Sequence, residues 1–223
     1  PTNPLTTRVI VNRIWQHHFG KGIVATPSDF GRLGEKPTHP ELLDWLTDQF
    51  VQGGWRMKPL HKMIVMSATY RQTAHFTPPQ AALLKDPDNR FLWRFNPLRL
   101  DAEQARDAVL AASGELKFDM GGEGVPASLP RRSVYTKKIR NTQDDFLRSL
   151  DAPSGFQSMP ERQPTTTATQ SLLLVNGDWP LDRARAMATH LSKLPQHDDS
   201  ALVHNAYLST LARAPAATET KAA

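Results

Sequence analysis

Apolar residues recur at helical spacing along residues 4–75 and predict three helices, because side chains three and four positions apart share one helix face. The first helix is expected to begin near Pro4, where a missing backbone N–H costs little, and to stop at Gly20 and Gly22. Its apolar stripe comprises Val9, Ile10, Ile14 and His18, and its neighbouring polar face comprises Arg8, Asn12 and Gln16.

A capping box predicts the start of the second helix, with Thr38 as the N-cap and Glu41 three residues later. Two glycines, Gly53 and Gly54, are expected to end this helix. Its expected buried face is formed by Leu42, Leu43, Leu46 and Phe50. The third helix is predicted over 58–72, with Leu60, Met63, Ile64 and Ser67 on one side.

After the third helix, the pattern predicts short helices separated by long loops. Residues 76–90 are punctuated by proline and aspartate, which indicates a loop with one helical turn. Asp101 and Gln104 frame the start of the next helix. The residues that it is expected to turn inward are Ala105, Val109 and Ala112.

The second half of the chain contains the longest irregular segments. Residues 114–132 are rich in glycine and proline, whereas 133–139 contain β-branched and aromatic residues that favour a short strand or hairpin arm. A long loop is expected over 151–176. Helices are predicted over 142–151, 179–194 and 199–215.

These elements predict a mainly α fold: an irregular helical domain with long ordered loops and one small β-hairpin or short strand. The prediction is a single domain over 1–223, with 1–75 and 91–215 as its candidate subdivisions. Neither end has an evident terminal element, so we expect a segment of a longer protein. The resemblance described below implies that this segment is the C-terminal fragment of a multi-domain protein.

Composition narrows the chemistry. Hydrophobic residues make up 39% of the 223 residues, enough to bury a core, and the absence of cysteine excludes disulfides, thiolate metal sites and cysteine nucleophiles from this segment. The net charge is +5, but acids are interleaved with most of the basic residues. The basic run 131–140 is therefore interpreted as a solvated or anion-contacting strand, and no nucleic-acid partner is expected. No apolar stretch is long enough to span a bilayer.

The histidines near the start of the chain are candidate ligands that their spacing disfavours. His17 and His18 are adjacent and point to different helix faces, whereas a zinc-binding pair on a helix needs a spacing of four. His18 is expected to pack in the core, and His17 lies on the polar side with Arg13. His39 is expected to be the first helical residue, although a ligand or general-base role stays open. No metal site is predicted.

Asp29 lies in a tight loop and has two interpretations. Its short carboxylate is expected to accept hydrogen bonds from backbone N–H groups of its own loop, or to pair with Arg13 or Arg32. A metal-dependent hydrolase using His17 or His39 with Asp29 is the least favoured functional alternative, because the ligand spacing is poor.

The predicted loop 151–176 concentrates polar side chains and is the strongest candidate binding region. Guanidinium, hydroxyl and amide groups recognise sugars, sulfates and peptide backbone. The groups in question are those of Arg162, Thr165, Thr166, Thr167, Gln170 and Asn176, preceded by Asp151. A buried polar network that fixes the loop to the body is an equally supported interpretation. No nucleophile elbow, phosphate loop or zinc-helix motif occurs, so no reaction is assigned.

Several motifs occur in an order that resembles a known family. The sequences "NRIWQHHFGKGIVATPSDFG", "FLWRFNPLRLDAEQARD", "RRSVY", "DAPSGF" and "TTTATQSLLLVN" are similar to a planctomycete C-terminal domain of unknown function, found in secreted proteins that often begin with a cytochrome-c-like domain. The family motif positions in this chain are Asn12, Arg13, Trp15, His17, Asp29, Glu35, His39, Arg71, Arg94, Asp151, Arg162, Gln170 and Asn176.

The resemblance implies context more than chemistry. It implies an extracytoplasmic location, upstream domains of the same polypeptide as partners, and a haem held outside this segment, which itself is expected to bind no cofactor. The leading hypothesis is binding or processing of a polysaccharide, with Arg162 and Arg13 contacting acidic or sulfated groups while Gln170 and Asn176 orient the loop or ligand. The alternative is a structural domain that docks on an upstream domain and has no ligand.

Overall fold

The computed structural model describes residues 3–74, 77, 79–139, 142–157, 159–195 and 198–223. Phe76 and Arg140, at the ends of a predicted loop and of the basic run, lie outside these residues. The described chain forms ten α-helices and one 3₁₀ turn, which confirms the mainly α prediction. The helices are α1 (Pro4–Phe19), α2 (Pro40–Gln52), α3 (Met57–Met66), α4 (Gln80–Lys85), α5 (Ala102–Ala112), α6 (Asp145–Ser149), α7 (Ala168–Asn176), α8 (Asp178–Ser192), α9 (Asp199–Leu211) and α10 (Ala217–Ala222).

The chain divides into two compact units, Pro1–Arg99 and Leu100–Ala223, here called unit 1 and unit 2. Unit 1 contains α1–α4 and unit 2 contains α5–α10. That residues 1–223 form a single domain stays a prediction. None of the helices in the described residues is long and apolar enough to cross a membrane.

The core of unit 1 is built by α1, α2 and α3. Leu43, Leu46 and Phe50 of α2 are buried as predicted, and they share one cluster with Leu60 and Ile64 of α3. Since each fully buried aliphatic or aromatic side chain contributes about 1.5–3 kcal/mol, this cluster supplies the main stabilisation of unit 1.

The buried face of α1 differs from the predicted stripe. Val9, Ile10 and His18 are only half-buried. The buried residues of α1 are Thr7, Val11, Asn12, Ile14, Trp15, Gln16 and Phe19. Asn12 and Gln16, which were placed on the polar face beside the predicted stripe, are buried, because the helix turns its Val11–Trp15–Phe19 line toward the core. Gly20 ends α1 as predicted, with φ of 81°.

The predicted start of α2 was wrong by one residue. The helix begins at Pro40, whose fixed φ suits the first helical position, so His39 is the N-cap and not the first helical residue. Thr38 does not cap the helix; its hydroxyl donates to the carbonyl of Ile23 at 3.3 Å. The α2 end at Gly53 agrees with the prediction.

Unit 2 contains four differences from the predicted elements. Ser133–Tyr135 forms a 3₁₀ turn with isolated bridges on either side, not a strand or hairpin arm. The second part of the predicted loop 151–176 is the helix α7, and the chain end carries the unpredicted helix α10. The buried line of α5 is Ala102, Arg106 and Leu110, one position away from the predicted residues, and it includes a charged side chain.

Candidate functional site

Unit 2 contains a cavity of about 290 Å³ between the loop after α5, the 3₁₀ turn and the segment around α6. Its walls are apolar: Pro126, Ala127, Ile139, Leu147, Ala152 and Pro153. Hydroxyl, amide and charged groups complete the lining: Glu103, Ser128, Ser133, Thr136, Lys137, Lys138, Thr142, Gln143, Asp144 and Ser154. Apolar walls with a few polar groups are typical of small-molecule sites.

Arg106 fixes the loop that forms one wall of this cavity. Its side chain is 2% exposed, and its guanidinium donates to the carbonyls of Arg131, Ala127 and Leu129 at 2.9, 2.6 and 2.7 Å. It also donates to the hydroxyl of Ser133 at 3.1 Å. Burial is the largest influence on this group and lowers the pKa of Arg106 from its usual value. The guanidinium thus supplies hydrogen bonds to loop carbonyls that a regular β-strand would pair with a neighbouring strand.

Asp107 completes the attachment of the 3₁₀ turn. Its Oδ1 accepts hydrogen bonds from the Ser133 backbone N–H at 2.7 Å and from the Ser133 hydroxyl at 2.6 Å. On the opposite wall, the Gln143 amide donates to the carbonyls of Ala152 and Pro153 at 2.8 and 3.3 Å. Hydrogen bonds within the protein therefore hold both walls in place.

A chain of charged groups runs along one side of the cavity. Arg162 donates to both carboxylate oxygens of Glu103, at 2.5 and 3.2 Å, and the Lys138 amino group lies 3.4 Å from the same carboxylate. Burial alone would raise the pKa of Glu103, but the hydrogen bond and charge of Arg162, with the charge of Lys138, hold it below its usual value. The hydrogen bond to Glu103 in turn raises the pKa of Arg162. Glu103 is thus ionised, and both of its carboxylate oxygens accept hydrogen bonds from Arg162.

One polar atom of the cavity lining has no partner. The hydroxyl oxygen of Thr136 is buried and makes no hydrogen bond among the described residues. An unpaired buried hydroxyl is unusual, since the large majority of such groups are hydrogen-bonded.

The predicted binding loop is built around Asp151, which has φ of 64°. Its carboxylate accepts from the Thr165 backbone N–H at 2.7 Å and from the Thr165 hydroxyl at 2.9 Å. Gln170, which is buried, donates to Asp151 at 3.2 Å and to the Thr165 hydroxyl at 3.1 Å. Asp151 and Gln170 thus lie together in an internal polar network, whereas Asn176 is exposed at the end of α7.

Asp151→Ala is expected to destabilise unit 2 by about 2–3 kcal/mol, because the hydrogen bonds to Thr165 and Gln170 are lost and alanine is strained at positive φ. Urea unfolding followed by circular dichroism measures the change. Asn176→Ala is the control and is expected to change stability by less than about 0.5 kcal/mol. Equal stability of the two variants would show that the network does not fix the loop.

Unit 1 contains the other predicted site residues, and most of them serve its own loops. The Asn12 side chain is fully buried and exchanges hydrogen bonds with the backbone of Val24. Asp29 accepts from the Gly31 N–H at 2.8 Å, the loop-capping role that was one of its two predicted interpretations. The His39 ring lies 2.9 Å from the Thr38 hydroxyl. Arg13 and His17 are exposed on α1.

The remaining motif positions are divided between core and surface. Trp15 is buried and stacks on Phe19 with a centroid distance of 4.2 Å. Glu35 and Arg71 are exposed, and the Arg94 guanidinium lies 4.8 Å from the ring centroid of Trp93. The described residues contain no group of three or more histidine, aspartate or glutamate side chains placed to hold a metal ion.

Sequence reasoning missed two residues and one helix start that organise these regions. His61 of α3 lies 2.7 Å from His18, and only the fold brings the two together. Arg106 resembles a surface residue of an amphipathic helix, so no sequence signal marked it. The start of α7 did have a signal: Thr167 and Gln170 form a capping box before an apolar run.

A family model matches residues 1–223, the whole chain. The chain belongs to the PSD1 family, proteins of unknown function (DUF1553). Membership agrees with the sequence resemblance to a domain of unknown function, and it assigns no reaction or ligand to PSD1 proteins. Comparison with curated proteins and with solved structures found no match.

Proposed function

We propose that this PSD1 chain binds a small acidic saccharide, such as a uronic acid or a sulfated sugar, in the cavity of unit 2. The observation that carries the proposal is the cavity itself, whose lining combines apolar side chains, hydroxyl groups and two lysines. Sugars present apolar ring faces together with hydroxyl groups, so a site of mixed lining suits them.

The size of the cavity limits the ligand. Its volume of about 290 Å³ is at the small end of the range known for ligand pockets, roughly 300–1,000 Å³. The ligand is thus a single sugar ring or the end unit of a longer polysaccharide, with the rest of the chain outside the cavity.

The charges at the cavity favour an anion. Of its two acidic residues, Glu103 is occupied by Arg162, and Asp144 accepts from the Leu147 N–H at the start of α6. Lys137 and Lys138 are exposed, and the contact of Lys138 with Glu103 is long, at 3.4 Å. The lysine amino groups are therefore the charges best placed to meet a carboxylate or sulfate.

This proposal changes the roles first predicted for the polar residues of the loop. Arg162 was expected to contact an acidic ligand, but both of its described partners are carboxylates of this chain, Glu103 and Asp101. Gln170 and Asp151 bond each other and Thr165. We therefore propose that Arg162 and Gln170 position the segments around the cavity and that Lys137 and Lys138 contact the ligand.

The test is calorimetric titration of the chain with glucuronate, glucose 6-sulfate and glucose at pH 7 and low salt. The two acidic sugars are expected to bind about tenfold more tightly than glucose, because a hydrogen bond to a charged group contributes about 1.5–3 kcal/mol. The double variant Lys137→Ala/Lys138→Ala is expected to lose that preference.

Lys193→Ala provides the matched control, since Lys193 is an exposed lysine at the end of α8 outside the cavity lining. It is expected to bind all three sugars as the unmodified chain does. Equal affinity for glucose and the acidic sugars, or no binding by any of them at about 10 mM, would refute the proposal.

A structural docking domain is the second candidate, favoured by the number of motif residues that bond within the chain. Asn12, Asp29, Asp151 and Gln170 all do so. On α7, Leu172 and Val175 expose 60% and 68% of their surface, which a docking partner would cover. In either case we propose, from the family resemblance alone, an exported parent protein whose upstream domains carry any haem.

A further inference from the structure

Two histidine rings meet between α1 and α3 of unit 1. The Nε2 atom of His18 lies 2.7 Å from the Nδ1 atom of His61, and the ring centroids are 5.0 Å apart. We propose that this imidazole pair is a pH-sensitive latch that holds the end of α1 against α3 at neutral pH and releases it in acid. The inference concerns unit 1 and is independent of the proposed ligand site in unit 2.

The chemistry of imidazole makes the contact depend on one proton. A neutral ring has one N–H donor and one acceptor nitrogen, so two rings form an N–H···N hydrogen bond when they share a single proton between them. When both rings are protonated, both facing nitrogens are donors and both rings carry positive charge. At 2.7 Å the contact would then be repulsive, and the rings must separate.

The surroundings make a second proton unfavourable. The charged groups that act on His18 are His61 on α3 and His17 beside it on α1, and the third ring facing it is Tyr70, at 5.5 Å. Burial first, and then the charges of His61 and His17, lower the pKa of His18 from its usual value of 6.5. Phenol and imidazole groups supply no negative charge near pH 6 that would stabilise a doubly protonated pair.

The direction of the pH effect follows from this lowered pKa. The folded chain binds a proton at His18 less readily than the unfolded chain does. The stabilisation is therefore complete above pH 6.5, the unfolded value, and is lost as the pH falls through the lower folded value. The latch is closed at neutral pH and opens in mildly acidic solution.

The position of the pair determines what its opening loosens. Phe19, the last residue of α1, contacts Tyr70 and Phe95 with centroid distances of 5.8 and 6.1 Å, and it stacks on Trp15. This aromatic cluster follows directly from His18 along the chain. Separation of His18 from His61 would thus loosen the end of α1 and the aromatic packing around it.

The experiment follows the histidine Cε1–H signals by NMR, together with urea unfolding, from about one pH unit above to about 1.5 pH units below the usual histidine pKa. In the unmodified chain His18 is expected to titrate below its usual pKa, and the urea midpoint is expected to fall as the pH decreases. In His61→Gln the glutamine amide can still donate to His18 but cannot become charged. The His18 titration is then expected to move toward its usual value without reaching it, since burial still lowers the pKa, and the part of the pH-dependent loss of stability that comes from His61 is expected to disappear.

His204→Gln is the matched control, because His204 is an exposed histidine of unit 2. It is expected to keep the pH dependence of the unmodified chain. If His61→Gln leaves both the His18 titration and the pH dependence unchanged, the latch does not exist. Should His61→Gln fail to fold, the unmodified chain still decides: protonation of His18 at its usual pKa, with no loss of stability on acidification, would overturn the proposal.

Discussion

Replacing Arg106 by alanine is expected to destabilise unit 2 by about 3–5 kcal/mol, because a buried guanidinium that makes four hydrogen bonds is removed. The side chain is 2% exposed and donates to the carbonyls of Ala127, Leu129 and Arg131 and to the Ser133 hydroxyl. Without it these acceptors, most of them only part-buried, lose their donor, and a cavity forms where the buried side chain lay. Urea unfolding monitored by circular dichroism measures the total change.

Hydrogen exchange shows where the loss of Arg106 acts. Amide protection is expected to fall in α5 and in residues 127–133, while α1 and α2 of unit 1 keep theirs. Arg106→Met keeps most of the apolar volume of the side chain but removes its hydrogen bonds. Comparing it with Arg106→Ala therefore distinguishes the cost of the cavity from the cost of the lost hydrogen bonds. Arg132→Ala is the matched control, since Arg132 is an exposed arginine, and its expected change is less than about 0.5 kcal/mol. Equal stability of Arg106→Ala and Arg132→Ala would refute the role of the buried guanidinium.

The sequence was sufficient to predict the existence of most helices, because their apolar spacing is a local property. It was less successful at their boundaries and faces. At α2 the capping box predicted a start after Thr38, but the helix begins at Pro40, because the fixed φ of proline suits the first helical position. At α7 the capping box of Thr167 and Gln170 was present but was assigned to a loop rich in threonine. On α5 the buried line was displaced by one residue because a charged side chain occupies it.

The candidate site shows the same division between local and long-range information. The hydrogen bond of Asp29 to Gly31 spans two residues, so the loop sequence was enough to predict it as one of two alternatives. The bond of Arg162 to Glu103 spans 59 residues, and the contact of His18 with His61 spans 43. Such partners are chosen by tertiary packing, which no spacing rule describes. The cavity likewise arises from three separate segments and has no signature within any of them.

Asn12→Ala is expected to destabilise unit 1 by about 2–4 kcal/mol, because it leaves two buried backbone groups unpaired at once. The Asn12 amide donates to the Val24 carbonyl at 3.0 Å, and its oxygen accepts from the Val24 N–H at 2.8 Å. This pair closes the loop after α1 much as a strand pairing would. The loop leaves little room for adjustment, since a Cβ added at Gly22 would lie within 3 Å of both Asn12 and Val24.

Comparison with Arg13→Ala tests this assignment on adjacent residues of the same helix. Arg13 is exposed, and its replacement is expected to change stability by less than about 0.5 kcal/mol. Asn12→Asp keeps an acceptor for the Val24 N–H but removes the donor to the Val24 carbonyl and buries a carboxylate, so it is expected to be at least as destabilising as alanine at pH 7. Thermal unfolding of the three variants ranks them. If Asn12→Ala unfolds at the same temperature as Arg13→Ala and the unmodified chain, the amide does not hold the loop. A direct role of Asn12 in binding then becomes the better explanation of its place in the family motif.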